Sequence, residues 1–326
     1  MGINNCIDAG TEYCPCYLAE KGECIMCSQL QGKDFCDCPN WQGVCIYREY
    51  IWHNARSKER RLVHLCPVSG KKQIAPLVTL LEIKVKRALA RELNQPGAFV
   101  FLRDPGRPIF FDLPMSVMWA DERRGVIKIA VQKRGLKTKY LLDEAEKGRV
   151  LLRGPYWNGV LGLPYLKSFQ GGKALLVVRG IGQAPALPVA KKLLRGKNKV
   201  EVLLDKGKIG IDFTGDFFRE MGCQVYQQEL CQKDYTLSEK TRIDLRDRFA
   251  QGDLGLVYAG GSELLQQGIY DLLPQEGQQI CFVCSNNAQL CCGEGICGSC
   301  QTRLADGSGI RRCKTQLDPA IIYQGR

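Results

Sequence analysis

Residues 173–185 read KALLVVRGIGQAP. The run Lys173–Arg179 is short and rich in β-branched and aliphatic residues, which predicts a buried strand. It ends in Gly180-Ile181-Gly182, and PALPVAKKLL (185–194) then has helical spacing. A strand feeding a glycine turn and a helix N-terminus offers backbone N–H groups and the helix dipole to a pyrophosphate. The pattern is G-x-G-x-A-P and lacks the last glycine of the full dinucleotide fingerprint, so an ordinary strand-to-helix turn is the alternative. Two further strands, KVEVLLD (199–205) and LGLVYAGG (254–261), also run into helix-like sequence. This alternation over residues 173–273 predicts a parallel sheet with a ligand at the strand C-termini.

Upstream the pattern changes. LVTLLEIKV (77–85), AFVFLR (98–103) and GVIKIAVQK (125–133) are short strand-like runs between turn residues, as in a small antiparallel barrel. The fold class expected is therefore α+β multidomain, with an antiparallel β-barrel followed by an α/β parallel-sheet nucleotide-binding domain. Both are flanked by cysteine-rich sequence. The expected segments are 1–71, a cysteine-rich extension and linker; 72–168, the barrel; 169–280, the α/β domain; and 281–326, a cluster-binding segment.

The chain has 18 cysteines, eight within residues 1–45 and seven within 281–313. The C-terminal group spaces Cys292, Cys297, Cys300 and Cys313 as C-x4-C-x2-C and a distant fourth, the plant-type pattern for a [2Fe–2S] cluster. Gly293, Gly295 and Gly298 allow the loop to lie close to an inorganic core. Zinc sites usually pair cysteines as two short hooks, which fits this loop poorly. Cys291 reads as a neighbouring thiol rather than a ligand.

Near the N-terminus, Cys14-x-Cys16, Cys24-x2-Cys27 and Cys36-x-Cys38 lie in sequence too short and polar for an apolar core, which points to a metal. A [4Fe–4S] cluster is the expectation, with a zinc knuckle as the alternative. His53 and His64 are the only histidines, so a mixed cysteine and histidine site is disfavoured.

A net charge of +12 invites a nucleic-acid reading, but bound cofactors count toward local charge. An oxidised cluster with its four thiolates and a flavin dinucleotide would offset part of it. The run Arg56, Lys58, Arg60, Arg61 reads as a solvated face or linker. No membrane span or signal peptide is evident, which gives a cytoplasmic expectation.

In order, PGAFV (96–100), LPMS (113–116), GLKT (135–138), GPYWNG (154–159), GIGQAP (180–185), VYAGGSE (257–263) and the terminal cysteine loop resemble the ferredoxin–NADP reductase superfamily. Within it, the chain is similar to the electron-transfer subunit of dihydroorotate dehydrogenase and to the small FAD subunit of NADH-dependent ferredoxin:NADP oxidoreductase. It also looks like proteins described as sulfide/dihydroorotate dehydrogenase-like. The resemblance implies that Leu113, Pro114, Met115 and Ser116 pack against FAD. It implies that Gly135, Leu136, Lys137 and Thr138 bind the FAD pyrophosphate. Gly180, Gly182, Ala184, Pro185, Gly260 and Gly261 would meet the nicotinamide nucleotide.

Two positions depart from the family. Leu113 replaces an arginine, for which Arg107, Lys137 or Lys139 can substitute, and Gly260-Gly261-Ser262 replaces Cys-Gly-Pro. At the end of the second strand, Asp205 would favour a ribose hydroxyl and NAD(H), whereas Lys206 and Lys208 tip the reading slightly to NADP(H). No catalytic acid or base is expected, because hydride transfer needs none.

The function expected is an electron-transfer flavin and iron–sulfur subunit of a cytoplasmic, multi-subunit NAD(P)-dependent oxidoreductase, with an electron-bifurcating transhydrogenase as its specific form. Its partners would be other subunits of the complex, the nicotinamide nucleotide, and ferredoxin through a partner subunit, with no membrane or nucleic acid. Alternatives are the dihydroorotate dehydrogenase electron-transfer subunit and, more distantly, a zinc-containing nucleic-acid-binding module.

Overall fold

The computed structural model describes residues 5–38, 43–274 and 279–324. The chain divides into two compact units. One joins the described residues up to Val63 with those from Ala288 onward, and the other spans His64 to Asn287. The first and last segments expected from the sequence thus contribute to one unit.

The chain opens with β1 (Asn5–Cys6), whose partner comes from the far end of the sequence. The second unit begins with β2 (Val63–Ala75), β3 (Val78–Lys84), β4 (Phe99–Arg103), β5 (Leu113–Ser116), β6 (Trp119–Asp121), β7 (Val126–Gln132) and β8 (Arg149–Tyr156). These form one sheet in the order β5-β4-β8-β2-β3-β7-β6. The two residues between the edge strands bring those edges together. Val117 N–H donates to the Ala98 carbonyl and Met118 N–H to the Lys128 carbonyl, each at 3.0 Å. The expected barrel results. Leu81 and Ile83 alternate inward on β3, as do Ile127, Ile129 and Val131 on β7, and all five are fully buried.

The next sheet contains β9 (Val160–Leu161), β10 (Lys173–Arg179), β11 (Lys199–Asp205), β12 (Gln224–Gln227), β13 (Leu254–Gly260) and β14 (Cys281–Ser285), in the order β12-β11-β10-β13-β14-β9. All its pairs are parallel except β14 with β9. Leu175, Leu176, Val177 and Val178 are all buried, with no alternation. A parallel strand covered on both faces requires such a run. The helices Gln183–Arg195, Gly215–Glu220 and Glu263–Tyr270 follow β10, β11 and β13.

Two details differ from the sequence reading. Cys281 and Cys284 lie on β14, and Cys284 is fully buried, so these two thiols belong to the nucleotide sheet. Residues from Leu136 form an eleven-residue helix, Leu136–Glu146, capped by Gly135, where a turn motif was read.

Returning to the first unit, β15 (Gln301–Arg303) and β16 (Gly309–Arg311) make a hairpin, and β17 (Thr315–Gln316) pairs antiparallel with β1. Among the described residues, the apolar cluster formed by its N-terminal part contains four buried residues, Ala19, Cys27, Leu30 and Ile46. It is small beside the seventeen buried residues of the barrel core.

Four buried or nearly buried charges supplement it. Arg61 donates to Asp8 at 2.7 Å and to Glu294 at 3.2 Å, while Lys314 bonds Asp8 and, at 3.0 Å, Glu294. The basic run 56–61 therefore ends in a buried, paired arginine and is not wholly a solvated face. Burial alone would raise the Asp8 carboxyl, but Lys314 and Arg61 hold it below the usual range. Burial opposes charge on Lys314 too, yet Asp8 and Glu294 hold its ammonium well above the usual value. Among the described residues, no helix is long and apolar enough to cross a membrane.

Candidate flavin, nucleotide and iron–sulfur sites

Strand β5 carries Leu113, Pro114, Met115 and Ser116, paired with Leu102, Phe101, Val100 and Phe99 of β4. The residue before it, Asp112, is buried and takes two cations. Arg103 donates to its Oδ1 at 2.7 Å, and Arg153 donates through Nη2 to its Oδ2 at 2.8 Å. Arg153 also lies over the Phe101 ring at 4.4 Å. One carboxylate against two guanidiniums leaves local positive charge beside Leu113, where the family arginine is missing. The Arg103 Nε is buried without a hydrogen-bond partner among the described residues. A buried donor of this kind suits an anionic ligand. The sequence reading missed Arg103 and Arg153, because neither belongs to a motif.

The helix Leu136–Glu146 begins at Gly135, around whose missing Cβ the space is open. Thr138 is turned inward: its Oγ1 accepts from Arg134 N at 3.0 Å and from Gly135 N at 3.1 Å. The hydroxyl thus caps the helix, and the first-turn N–H groups remain as the anion-binding element. Two of the cations expected to replace the missing arginine gather here. Arg107 stacks over Tyr140 at 3.9 Å, and Lys137 reaches the Phe110 carbonyl. Ile109, Phe110 and Leu136 are all more than 60% exposed, an apolar surface beside this turn. Together these donors, cations and apolar residues fit a flavin dinucleotide.

At the parallel sheet, Gly180 adopts φ +58° with open space around it. Gly182 is constrained differently. A Cβ there would lie 2.4 Å from the Gly260 carbonyl oxygen, so the turn after β10 and the loop after β13 pack backbone to backbone. Ala184 and Pro185 lie in the first turn of the helix Gln183–Arg195. Buried Gln183 accepts from Phe213 N and Thr214 Oγ1 and donates to the Ile211 carbonyl, which fixes the loop after β11.

The loop carrying Gly260 and Gly261 is fixed by buried Gln266, which donates to the Ser285 carbonyl at 2.9 Å and to Ser285 Oγ at 2.8 Å. Asn287 also donates to the Gly261 carbonyl, at 2.5 Å. The Tyr258 hydroxyl beside Gly260 is buried without a partner. Burial pushes its pKa upward, which leaves a neutral donor. This end of the sheet fits a nucleotide.

Asp205 departs from its expected role. Its carboxylate accepts from Arg179 Nε at 2.8 Å, Gly207 N at 2.7 Å and Leu230 N at 2.9 Å. A carboxylate so occupied organises the loops and is not free to recognise a ribose. Nearby, Lys208 lies over the Tyr235 ring at 4.4 Å and Arg179 at 5.7 Å.

In the C-terminal loop, Gly293, Gly295 and Gly298 all adopt positive φ. The loop turns N–H groups toward sulfur: Glu294 N donates to Cys292 Sγ at 3.3 Å. The Cys313 thiol lies within hydrogen-bonding reach of Cys292 and Cys300, and these contacts together with burial raise its pKa. Cys292 is pulled down to about 4 by Cys313 and, against burial, by the N–H groups of Cys297, Glu294 and Ile296. Cys300 is pulled down to about 7, again chiefly by Cys313. Cys300 and Cys313 are buried, whereas Cys297 is exposed and close to Cys291. This donor set favours thiolates and fits an iron–sulfur cluster. Among the described residues, no three His, Cys, Asp or Glu side chains converge on one position that would hold a single ion.

The N-terminal thiols fall into two neighbourhoods. Cys14, Cys16 and Cys24 line one cavity together with Cys6. Cys36 and Cys38 are exposed, with sulfurs 3.9 Å apart, and Cys27 and Cys45 are close to Cys38. Burial pushes the Cys14 thiol up to about 12 and raises those of Cys6 and Cys24.

Comparison with known proteins follows this geometry. A chain from the structure that gives insights into flavin-based electron bifurcation via the NADH-dependent reduced ferredoxin-NADP oxidoreductase superposes with a TM-score of 0.60 at 22% identity, over 77% of this chain and 86% of that one. The chain has the ferredoxin–NADP reductase fold. Phthalate dioxygenase reductase, described as a modular structure for electron transfer from pyridine nucleotides to [2Fe–2S], matches with a TM-score of 0.50 at 17% identity, over 78% of this chain and 95% of that one.

By sequence, the dihydroorotate dehydrogenase B (NAD(+)) electron transfer subunit of Bacillus velezensis is 27% identical over 242 residues, 72% of this chain and 88% of the relative. The Enterococcus faecalis subunit of the same name is 23% identical, over 81% of this chain and 97% of the relative. No family model matches. The superfamily resemblance carried by the ordered motifs holds, and by sequence the chain is similar to electron transfer subunits of dihydroorotate dehydrogenase B.

Proposed function

We propose that the chain is the electron-transfer subunit of a cytoplasmic NAD(P)-dependent oxidoreductase, and that it carries FAD, a [2Fe–2S] cluster at Cys292, Cys297, Cys300 and Cys313, and a further N-terminal iron–sulfur cluster. One observation carries the iron–sulfur part. Cys292, Cys300 and Cys313 lie close together, in a loop whose glycines take positive φ and whose Glu294 N–H donates to Cys292 Sγ. The flavin part rests on the Gly135 helix start with Arg107, Lys137 and the Arg103–Asp112–Arg153 group around it.

Bound flavin supplies the conversion between two-electron hydride chemistry and one-electron transfer. The protein's own part is positioning. The first turn of Leu136–Glu146, with Arg107 and Lys137, holds the diphosphate. The packed pair Gly182 and Gly260, tied by Gln266, presents the nucleotide at the ends of β10 and β13. Lys206 and Lys208 support a lean to NADP(H), since Asp205 is already engaged.

A bifurcating transhydrogenase is the specific form favoured here, in keeping with the fold neighbour of highest TM-score reported above. The sequence relatives support a second reading, in which the partner subunit oxidises dihydroorotate.

The test is anaerobic purification of the full chain with its partners, followed by flavin, iron and sulfide analysis and EPR after reduction. The expected result is about one FAD and a [2Fe–2S] signal that Cys300→Ser alters. A folded sample without flavin or iron would overturn the reading. Co-purification of a pyrimidine-oxidising flavoprotein would move it to the second one.

A further inference from the structure

We infer that Cys6, Cys14, Cys16 and Cys24 are the ligands of the N-terminal cluster, of the four-iron type, and that it sits directly beside the [2Fe–2S] loop within one folded unit. The inference rests on the proposed iron–sulfur function and names the ligands of its second cluster. Pair motifs in the sequence single out Cys14, Cys16, Cys24, Cys27, Cys36 and Cys38, and leave Cys6 aside. The structure groups the thiols differently.

Cys6, Cys14, Cys16 and Cys24 lie around one cavity, which Met26 and Asp8 also line. Cys16 is within electrostatic range of each of the other three. Their spacing is symmetric, with seven residues, one residue and seven residues between successive cysteines. The remaining four, Cys27, Cys36, Cys38 and Cys45, cluster around Cys38, and two of them are exposed.

The four-iron type follows from the proposed electron-transfer function, and the zinc content in the experiment below tests it. A zinc ion draws four sulfurs onto one tetrahedral point at about 2.3 Å. Cys6, Cys14, Cys16 and Cys24 all line the one cavity. A cubane with one iron per thiolate at its corners requires sulfurs placed around a space. Backbone amides already serve two of them, with Cys27 N donating to Cys24 Sγ at 3.4 Å and Gly10 N–H directed to Cys14. Amide bonds to sulfur are a means of tuning such clusters.

The second half of the inference rests on chain pairing. Cys6 is in register with Thr315, two residues beyond Cys313, and Ile7 N donates to the Lys314 carbonyl at 2.8 Å. Directly paired antiparallel residues have Cα atoms roughly 5 Å apart, and two residues along a strand add about 7 Å. The Lys314 side chain bonds Asp8, which lines the cavity, and Glu294, which lies within the Cys292–Cys297 loop. The same ammonium is within electrostatic range of Cys16. The two sulfur sites are thus joined through one strand pair and one ion network.

The experiment compares the anaerobic full-length protein with its Cys6→Ser, Cys16→Ser, Cys36→Ser and Cys38→Ser variants, by iron, sulfide and zinc content and by EPR of the reduced state. FAD content reports on folding of the second unit. Expected is a loss of about four irons, or a changed four-iron EPR signal, in Cys6→Ser and Cys16→Ser only. If Cys6→Ser loses both clusters through unfolding of the short strand, Cys16→Ser decides.

Loss in Cys36→Ser or Cys38→Ser, with Cys6→Ser unchanged, would overturn this ligand set while leaving the N-terminal cluster itself standing. A wild-type protein with only the [2Fe–2S] iron, or with zinc released by none or any of these variants, would overturn the N-terminal cluster as well.

Discussion

The two sheets of the second unit are filled by runs such as Leu175-Leu176-Val177-Val178, whereas among the described residues the N-terminal part of the first unit buries few apolar side chains, Leu18, Ala19, Cys27, Leu30 and Ile46. One region gains its stability from apolar area and a ladder of parallel strands. The other holds eight thiols and a buried ion network that closes between Asp8 and Lys314. The difference teaches where cofactors are structural. A flavin or nucleotide binds to a scaffold that the apolar core has already built, whereas iron in the first unit would supply folding free energy itself.

Iron removal should therefore break the comparison most visibly. With chelator and oxidant, the first unit should lose protection of its backbone amides, while β10, β11 and β13 keep theirs. Metal binding in small thiolate domains contributes on the order of 10 kcal/mol, more than the cluster of four buried residues can replace. Hydrogen exchange followed by mass spectrometry resolves the two units. Loss in neither would mean that the first unit does not depend on metal, and equal loss in both would mean that the dependence is not confined to it.

A matched pair of substitutions sharpens the contrast. Lys314 is fully buried between Asp8 and Glu294, while Lys71 pairs with Glu146, whose side chain is 71% exposed. Lys314→Met removes the ammonium from between the buried Asp8 and Glu294 carboxylates, at a cost of about 3–5 kcal/mol. Lys71→Met should cost about 0–1 kcal/mol, the usual value of an exposed pair. Exchange at Ile7, whose N–H bonds Lys314 O, should quicken by two to three orders of magnitude in the first variant. Similar small effects in both would show that the ion network is not a support of the first unit.

The same contrast governs how much the sequence discloses. Strands β10, β11 and β13 are legible because a covered parallel strand must be a continuous apolar run, and the barrel strands β3, β4 and β7 because turn residues bound them. Strand β14 is harder to see: its CFVCS contains two cysteines that join, by composition, the metal-binding group. The helix Leu136–Glu146 is hidden because LKTKYLLDEAE has no strong start signal beyond Gly135.

Site membership is less legible still. Cys spacing suggests which thiols bind metal but not how they partition, since Cys6 meets the others only through the fold. The Asp8–Lys314 pair spans 306 positions, a separation no local pattern encodes. Asp205 is the reverse case, a residue in the expected place whose carboxylate the surrounding loops have already taken.

Asp205 and Lys208 give the smallest expected effect and the finest distinction within the second unit. If Asp205 organises the loops, nucleotide preference depends on the cations near it, and Lys208 is the more available because it rests on the Tyr235 ring without an ion-pair partner among the described residues. An exposed cation facing a 2′-phosphate contributes about 1 kcal/mol, so Lys208→Ala should weaken NADPH about fivefold and leave NADH nearly unchanged. Asp205→Asn removes the charge but keeps the acceptor oxygen, so it should lower stability through the Arg179 and Leu230 contacts without reversing the preference. Titration of the bound flavin spectrum with each nucleotide measures both. A swing toward NADPH in Asp205→Asn larger than the loss in Lys208→Ala would instead make the carboxylate a direct selector, and the loop contacts secondary to it.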